Sequence, residues 1–125
     1  MVFDLDPEIQ KEINRIVLNL DFTHIEPGKC ICFKSYGSKS RAIARIWSLP
    51  KIWQIGLNIP AHYCIEVVSE KFDRLSKDDK EKVLIHELLH IPKNFSGALL
   101  PHRQRSKKID RRTVESWFSK LYKNK

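Results

Sequence analysis

The sequence contains no apolar run approaching the ~20 residues that a bilayer-spanning helix requires, so no membrane span is expected. The opening residues Met1-Val2-Phe3-Asp4-Leu5-Asp6 lack the basic and apolar regions of a secretory leader, and the expected location is intracellular, in the cytoplasm. Cysteine is scarce: three residues cannot all pair within one chain, which argues against a disulfide-stapled scaffold and suits a reducing compartment. Cys30 and Cys32 lack C-x-x-C spacing, and with Cys64 they are expected to act as small buried hydrophobes rather than metal ligands. Repeats, linkers and low-complexity tracts are missing as well. The expectation is therefore one domain over residues 1–125, burying roughly two-thirds of its unfolded surface.

Acidic residues are also missing from one stretch. Residues 29–53 hold six bases and no acid, and residues 102–125 hold nine bases against two acids, while residues 1–28 sum to −4. The net charge of +8 is thus concentrated in two places. Such asymmetry bears on partners and solubility rather than on fold, and admits an acidic partner or a nucleic acid.

What is present is Val83-Leu84-Ile85-His86-Glu87-Leu88-Leu89-His90, a His-Glu-x-x-His sequence inside an apolar run. On a helix, positions i and i+4 share a face, so His86 and His90 can address one ion. Zinc accepts neutral imidazole nitrogen, and Glu87, about 100° round the helix, stands where a carboxylate could take a proton from activated water. The pattern is that of a zinc-dependent peptidase. Its bulky, uncharged neighbours imply a mostly buried helix, where two histidines and a glutamate are costly unless something satisfies them.

The remaining patterns predict an α+β chain with a small mixed sheet and about three helices. Asp6-Pro7, followed by Ile9, Ile13, Ile16, Val17 and Leu20, predicts a helix over 7–20. Residues 30–34 and 42–47 are strand-like around a loop at 36–40, which suggests a hairpin, and 52–55 suggests another short strand. Residues 62–68 form the clearest strand. Ser76, with Asp79 three residues on, opens a helix expected to run to about His90, since Pro92 disfavours helical geometry at Ile91. A last helix is expected from about 103 to 122, with His102 at its start.

A catalytic zinc keeps three protein ligands and leaves a place for water. His102, following a turn that contains Gly97, is the preferred third ligand, and Glu115 is its rival; His24 and His62 sit in weaker contexts. Tyr63, Tyr122 and Arg103 are conceivable oxyanion donors, with no spacing argument for any of them.

The run from Ile65 to Ser76, then Leu84 to Lys93, then Phe95-Ser96-Gly97 and Pro101-His102, resembles small metallopeptidases of phages and archaea. The likeness covers roughly residues 40–122. It implies a zincin-like domain with one zinc ion per chain, His86, His90 and His102 as metal ligands, and Glu87 as catalytic acid/base. The order of metal helix, loop and late histidine is more distantly similar to the SprT and WLM proteases, which act on proteins attached to DNA. The likeness also gives the strand at 62–68 a meaning as a sheet edge above the metal, where Tyr63, Cys64, Ile65, Glu66 and Val67 would receive an extended peptide or protein substrate by strand addition. The alternative is an ordinary interior strand.

Two other function classes remain in view. The basic tail with Arg103, Arg105, Lys107, Lys108, Arg111 and Arg112 could make the chain a nucleic-acid-binding module, alone or combined with proteolysis. The zinc could also serve stability alone.

Overall fold

A computed structural model describes residues 1–102 and 108–123 of the chain. The first helix, α1 (Pro7–Asn19), starts where expected: the Asp6 carboxylate accepts from the amides of Glu8 and Ile9, both at 3.1 Å, and Pro7 fills the first helical position. Its face of Ile9, Ile13, Ile16 and Val17 is buried. Gln10 projects from α1 to strand β2 (Cys30–Tyr36), donating to Cys30 O at 2.9 Å and accepting from Cys32 N at 3.2 Å. One amide side chain thereby satisfies backbone groups of β2 beyond the end of the short strand β1 (Val2–Leu5).

The four strands are ordered β1-β2-β4-β3, with β3 at Ala44–Ser48 and β4 at Tyr63–Val68. β4 runs parallel to β2 and antiparallel to β3, and β1 runs antiparallel to β2. The expected hairpin between 30–34 and 42–47 therefore does not form. β4 lies between the two strands, paired along both edges, and its Tyr63, Ile65, Val67 and Val68 are all buried, as suits an interior strand.

Two further expectations are corrected. Residues 52–55 belong to a helix, α2 (Lys51–Leu57), and not to a strand. The amides of Trp53 and Gln54 bond to Pro50 O at 3.0 and 3.1 Å, and Asn58, at φ 55°, ends the helix in the left-handed region. Gln54 is the one buried residue of α2, while Ile52 and Ile55 are exposed and have no sheet neighbour to favour a strand. The last helix, α5 (Arg111–Lys123), begins nine residues after His102, which lies in a bend, while residues 103–107 fall outside the described chain. Asp110 opens α5, its side chain accepting from Thr113 N at 3.0 Å.

The core lies between the sheet and the helices. Ile13 and Ile16 of α1, Cys30 and Cys32 of β2, Ile65 and Val67 of β4, and Leu84, Ile85 and Leu88 of α4 (Lys77–Leu88) belong to one cluster, which Val114 and Leu121 of α5 join. A short helix, α3 (Ser69–Phe72), links β4 to α4 and buries Phe72. The three thiols are free, as expected, and burial pushes those of Cys30 and Cys32 up to about 12. Among the described residues, no helix is long and apolar enough to cross a membrane.

Candidate metal centre

Ser76 caps α4, its hydroxyl accepting from Asp79 N at 3.1 Å. The helix buries Leu84, Ile85 and Leu88 on the core side. Beyond Leu88 it tightens: His90 N bonds Glu87 O and Ile91 N bonds Leu88 O, each at 3.1 Å, giving three-residue closures. His86 and His90 thus stay on one side, at the C-terminal end of α4.

The loop that follows folds back over this end. Gly97, at φ +95°, occupies a conformation that side chains rarely adopt, and a Cβ there would collide with Gln54 Nε2. Tyr63 holds the same loop from β4, accepting from Gly97 N at 2.9 Å and donating to Ala98 O at 2.8 Å. Leu100 N then bonds His90 O at 2.7 Å. Two residues later His102 turns its ring inward.

Three imidazoles meet there. His86 Nε2 lies 3.1 Å from His102 Nε2 and 3.4 Å from His90 Nε2. Leu100 O can only accept, so His90 must donate from Nδ1 to it, leaving the His90 Nε2 lone pair free to face the other rings. Burial, reinforced by the neighbouring rings, lowers the His86 pKa to about 4, and burial likewise lowers that of His90. Both are neutral at pH 7, the form in which imidazole ligates a metal. A tetrahedral ion with bonds of about 2.0–2.1 Å sets its donor atoms about 3.3–3.4 Å apart, close to the separations found here. Hydrogen bonds among three converging Nε2 atoms cannot satisfy every lone pair, whereas one shared cation can. Among the described residues, His86, His90 and His102 form the group whose ligand atoms come together, all within 4.8 Å.

The other candidates are engaged otherwise. Glu115 lines the same cleft but pairs with Lys82 at 2.9 Å, so the carboxylate is already engaged. His62 bonds Pro60 O at 2.8 Å, and His24 packs its ring on Phe22. Tyr63 is committed to the loop, and Tyr122 donates to Asp78 and Glu81, at 3.1 and 3.3 Å, near the opposite end of α4. Arg103, like Arg105 and Lys107 of the basic tail, lies outside the described residues; Lys108, Arg111 and Arg112 are exposed.

The cluster opens into a cleft of ≈ 1110 Å³ between β3 on one side and α4 and α5 on the other. Glu87 lines this cleft beside His86 while remaining 7% exposed, and burial pushes its carboxyl up to about 7. Residues 3–123 match the family model described as "Putative phage metallopeptidase". The chain belongs to this family. No curated protein and no solved structure matches the chain. Membership in the phage metallopeptidase family agrees with a histidine cluster suited to a metal. Sequence reasoning missed two parts of the centre: the Leu100 carbonyl that orients His90, and Arg111, which α5 brings to the cleft. Neither has a local signal, since a backbone acceptor has no residue type and an arginine in a basic tail looks like its neighbours.

The strand-addition expectation at Tyr63–Val67 is overturned by the topology. β4 is bonded to β2 on one side and β3 on the other, so it offers no edge. Glu66 is buried in a fork with Arg45 (3.1 and 2.8 Å) and Trp47 Nε1 (2.9 Å). The sheet ends in β1 and β3, and of these two edge strands β3 is the one that lines the cleft. Leu49 N bonds His62 O and Val68 N bonds Ile43 O, and with Arg45 opposite Glu66 and Trp47 opposite Cys64, every second residue of β3 faces β4. Ala44, Ile46 and Ser48 turn their N–H and C=O groups the other way, along the cleft.

Proposed function

We propose that this chain is a zinc peptidase of zincin-like architecture, with His86, His90 and His102 as ligands and Glu87 as general base and acid. The observation that carries the reading is the convergence of three imidazole Nε2 atoms beside a buried carboxyl in an open cleft. Zinc held there would supply Lewis acidity and bring the pKa of a water to about 7.

The chain's own residues supply the rest. Glu87, with a pKa near 7 before any metal binds, can take the proton of the attacking water and return it to the leaving amine, the two transfers a peptide bond requires. The Leu100 carbonyl holds His90 in one tautomer and orientation, as partners of metal-bound histidines do. The outward groups of Ala44, Ile46 and Ser48 bind the substrate backbone as an added strand, laying it across the histidines. Main-chain bonding gives affinity without regard to side chains.

Glu87→Gln tests the assignment. The amide preserves shape but cannot accept a proton, so stoichiometric zinc should be retained while cleavage of a denatured protein substrate falls by about 10²–10⁴-fold. Parental cleavage rates in a zinc-loaded Gln variant would remove Glu87 from the mechanism.

A further inference from the structure

The surface of α2 is out of keeping with a helix in water. Ile52, Trp53, Ile55 and Leu57 are 77, 57, 71 and 54% exposed, and Ile59 just beyond is exposed as well. Isolated exposed apolar residues need no explanation, but five within eight positions form a patch of the kind that marks a binding surface.

The helix is firmly held. Gln54 Nε2 donates to Leu49 O at 2.8 Å, at the end of β3, and to Ser96 O at 3.3 Å, in the loop between His90 and His102. α2 therefore stands where the open edge of β3 ends, joined to the loop of the metal centre. α2 starts three residues after Ser48, so a polypeptide that follows β3 and continues in the direction of that strand is carried toward α2. Charge limits what else could cover the patch. Residues 49–65 other than the α2 apolar run, and residues 88–102, contain no acid, while Lys51 and Lys93 are exposed. In a chain of net charge +8, a second copy would bring like charge against like.

We infer that α2 is a binding face for the substrate chain itself, receiving apolar side chains from the stretch that runs on beyond the cleft. The preferred substrates are accordingly unfolded or extended polypeptides with a hydrophobic segment a few residues from the scissile bond. This rests on the peptidase reading above. At 1.5 Å per residue the helix is about 10 Å long, which about three extended residues cross.

The test uses three fluorescein-labelled peptides: a short one that fills only the edge of β3, and two lengthened by four apolar residues, one at each terminus. Affinity is read by anisotropy on zinc-loaded Glu87→Gln protein, and cleavage on the parent. One lengthened peptide should bind at least about tenfold more tightly than the short one, as burial of two or three apolar side chains allows. Ile52→Ser with Ile55→Ser, both on one exposed helix face, should erase that gain and leave binding and cleavage of the short peptide unchanged. A gain that is absent for both lengthened peptides, or that survives the double substitution, overturns the inference. So does a dimer in sedimentation, or flotation with anionic phosphatidylglycerol vesicles, that the double substitution abolishes, because a second copy or a lipid surface would then own the patch. An α2-dependent gain without cleavage by the parent keeps the binding face and removes the peptidase reading; cleavage of the short peptide without any gain does the reverse.

Discussion

His102 and Glu115 are both chemically suitable as a metal ligand, and their surroundings differ. Both line the cleft, but Glu115 is occupied by Lys82 at 2.9 Å, whereas His102 has its Nε2 3.1 Å from that of His86. His102→Ala should weaken zinc binding by more than the 10–100-fold that loss of an outer-sphere partner costs, since it removes a donor atom outright. Glu115→Ala should leave zinc affinity unchanged. Competition with a chromophoric chelator measures both, and the opposite ranking would transfer the third position to Glu115. The two histidines of the helix were legible in the sequence because a helix fixes the i, i+4 relation. The third rests on a loop whose path depends on Tyr63, Gln54 and Gly97, contacts made across the fold.

Among the elements, the strand at 62–68 took the interior place that was its alternative, and β3, expected as the return of a hairpin, lies at a sheet edge. The clearest strand became the buried one, and the plainer strand became the edge. An exposed edge that binds an extended chain makes a simple prediction for N-methylated peptides, which lose one backbone donor without losing a side chain. Methylation at alternate substrate amides should each cost roughly 1 kcal/mol, about fivefold in affinity, while methylation at the amides between them should cost little. A uniform response along the peptide would exclude strand addition. The same pair of strands contains the Glu66 fork. Burial opposes ionisation of Glu66, yet the bonds from Arg45 and Trp47 outweigh it and hold the carboxyl below its ordinary value of 4.5. A carboxylate with a depressed folded pKa binds fewer protons in the native state than in the unfolded one, so its contribution is full above about pH 4.5 and is lost as pH falls through the lowered value. Urea midpoints measured from pH 7 to pH 3 should therefore drop more steeply for the parent than for Glu66→Gln. Equal slopes would mean that the fork contributes nothing to acid stability.

At the scale of the whole molecule, the hydrophobic core and the candidate metal centre occupy different places. Ile13, Ile16, Ile65, Leu84 and Leu88 belong to the buried hydrophobic cluster, whereas the three imidazoles line the cleft at the C-terminal end of α4. Removing zinc with a chelator should thus abolish cleavage while the far- and near-ultraviolet circular dichroism persists. Readdition at 100 times the dissociation constant should raise the unfolding free energy by about 2.7 kcal/mol. Collapse of the near-ultraviolet signal on chelation would identify a structural metal instead. The sequence by itself determined what depends on local spacing: two capped helices, expected at 7–20 and up to about His90 and found at 7–19 and 77–88, a strand found at 63–68, the pair His86 and His90 with Glu87 between them, and the buried thiols of Cys30 and Cys32. Helical period, capping groups and side-chain chemistry act over a few residues and leave a record in order and spacing. Only the tertiary structure decided which strand lies at the edge, that 51–57 is helical, and where the ring at position 102 points. Each of those depends on partners far along the chain, through the pairing of β4 with β2 and β3, the hold of Gln54 on two loops, and the grip of Tyr63 on the segment leading to the last histidine.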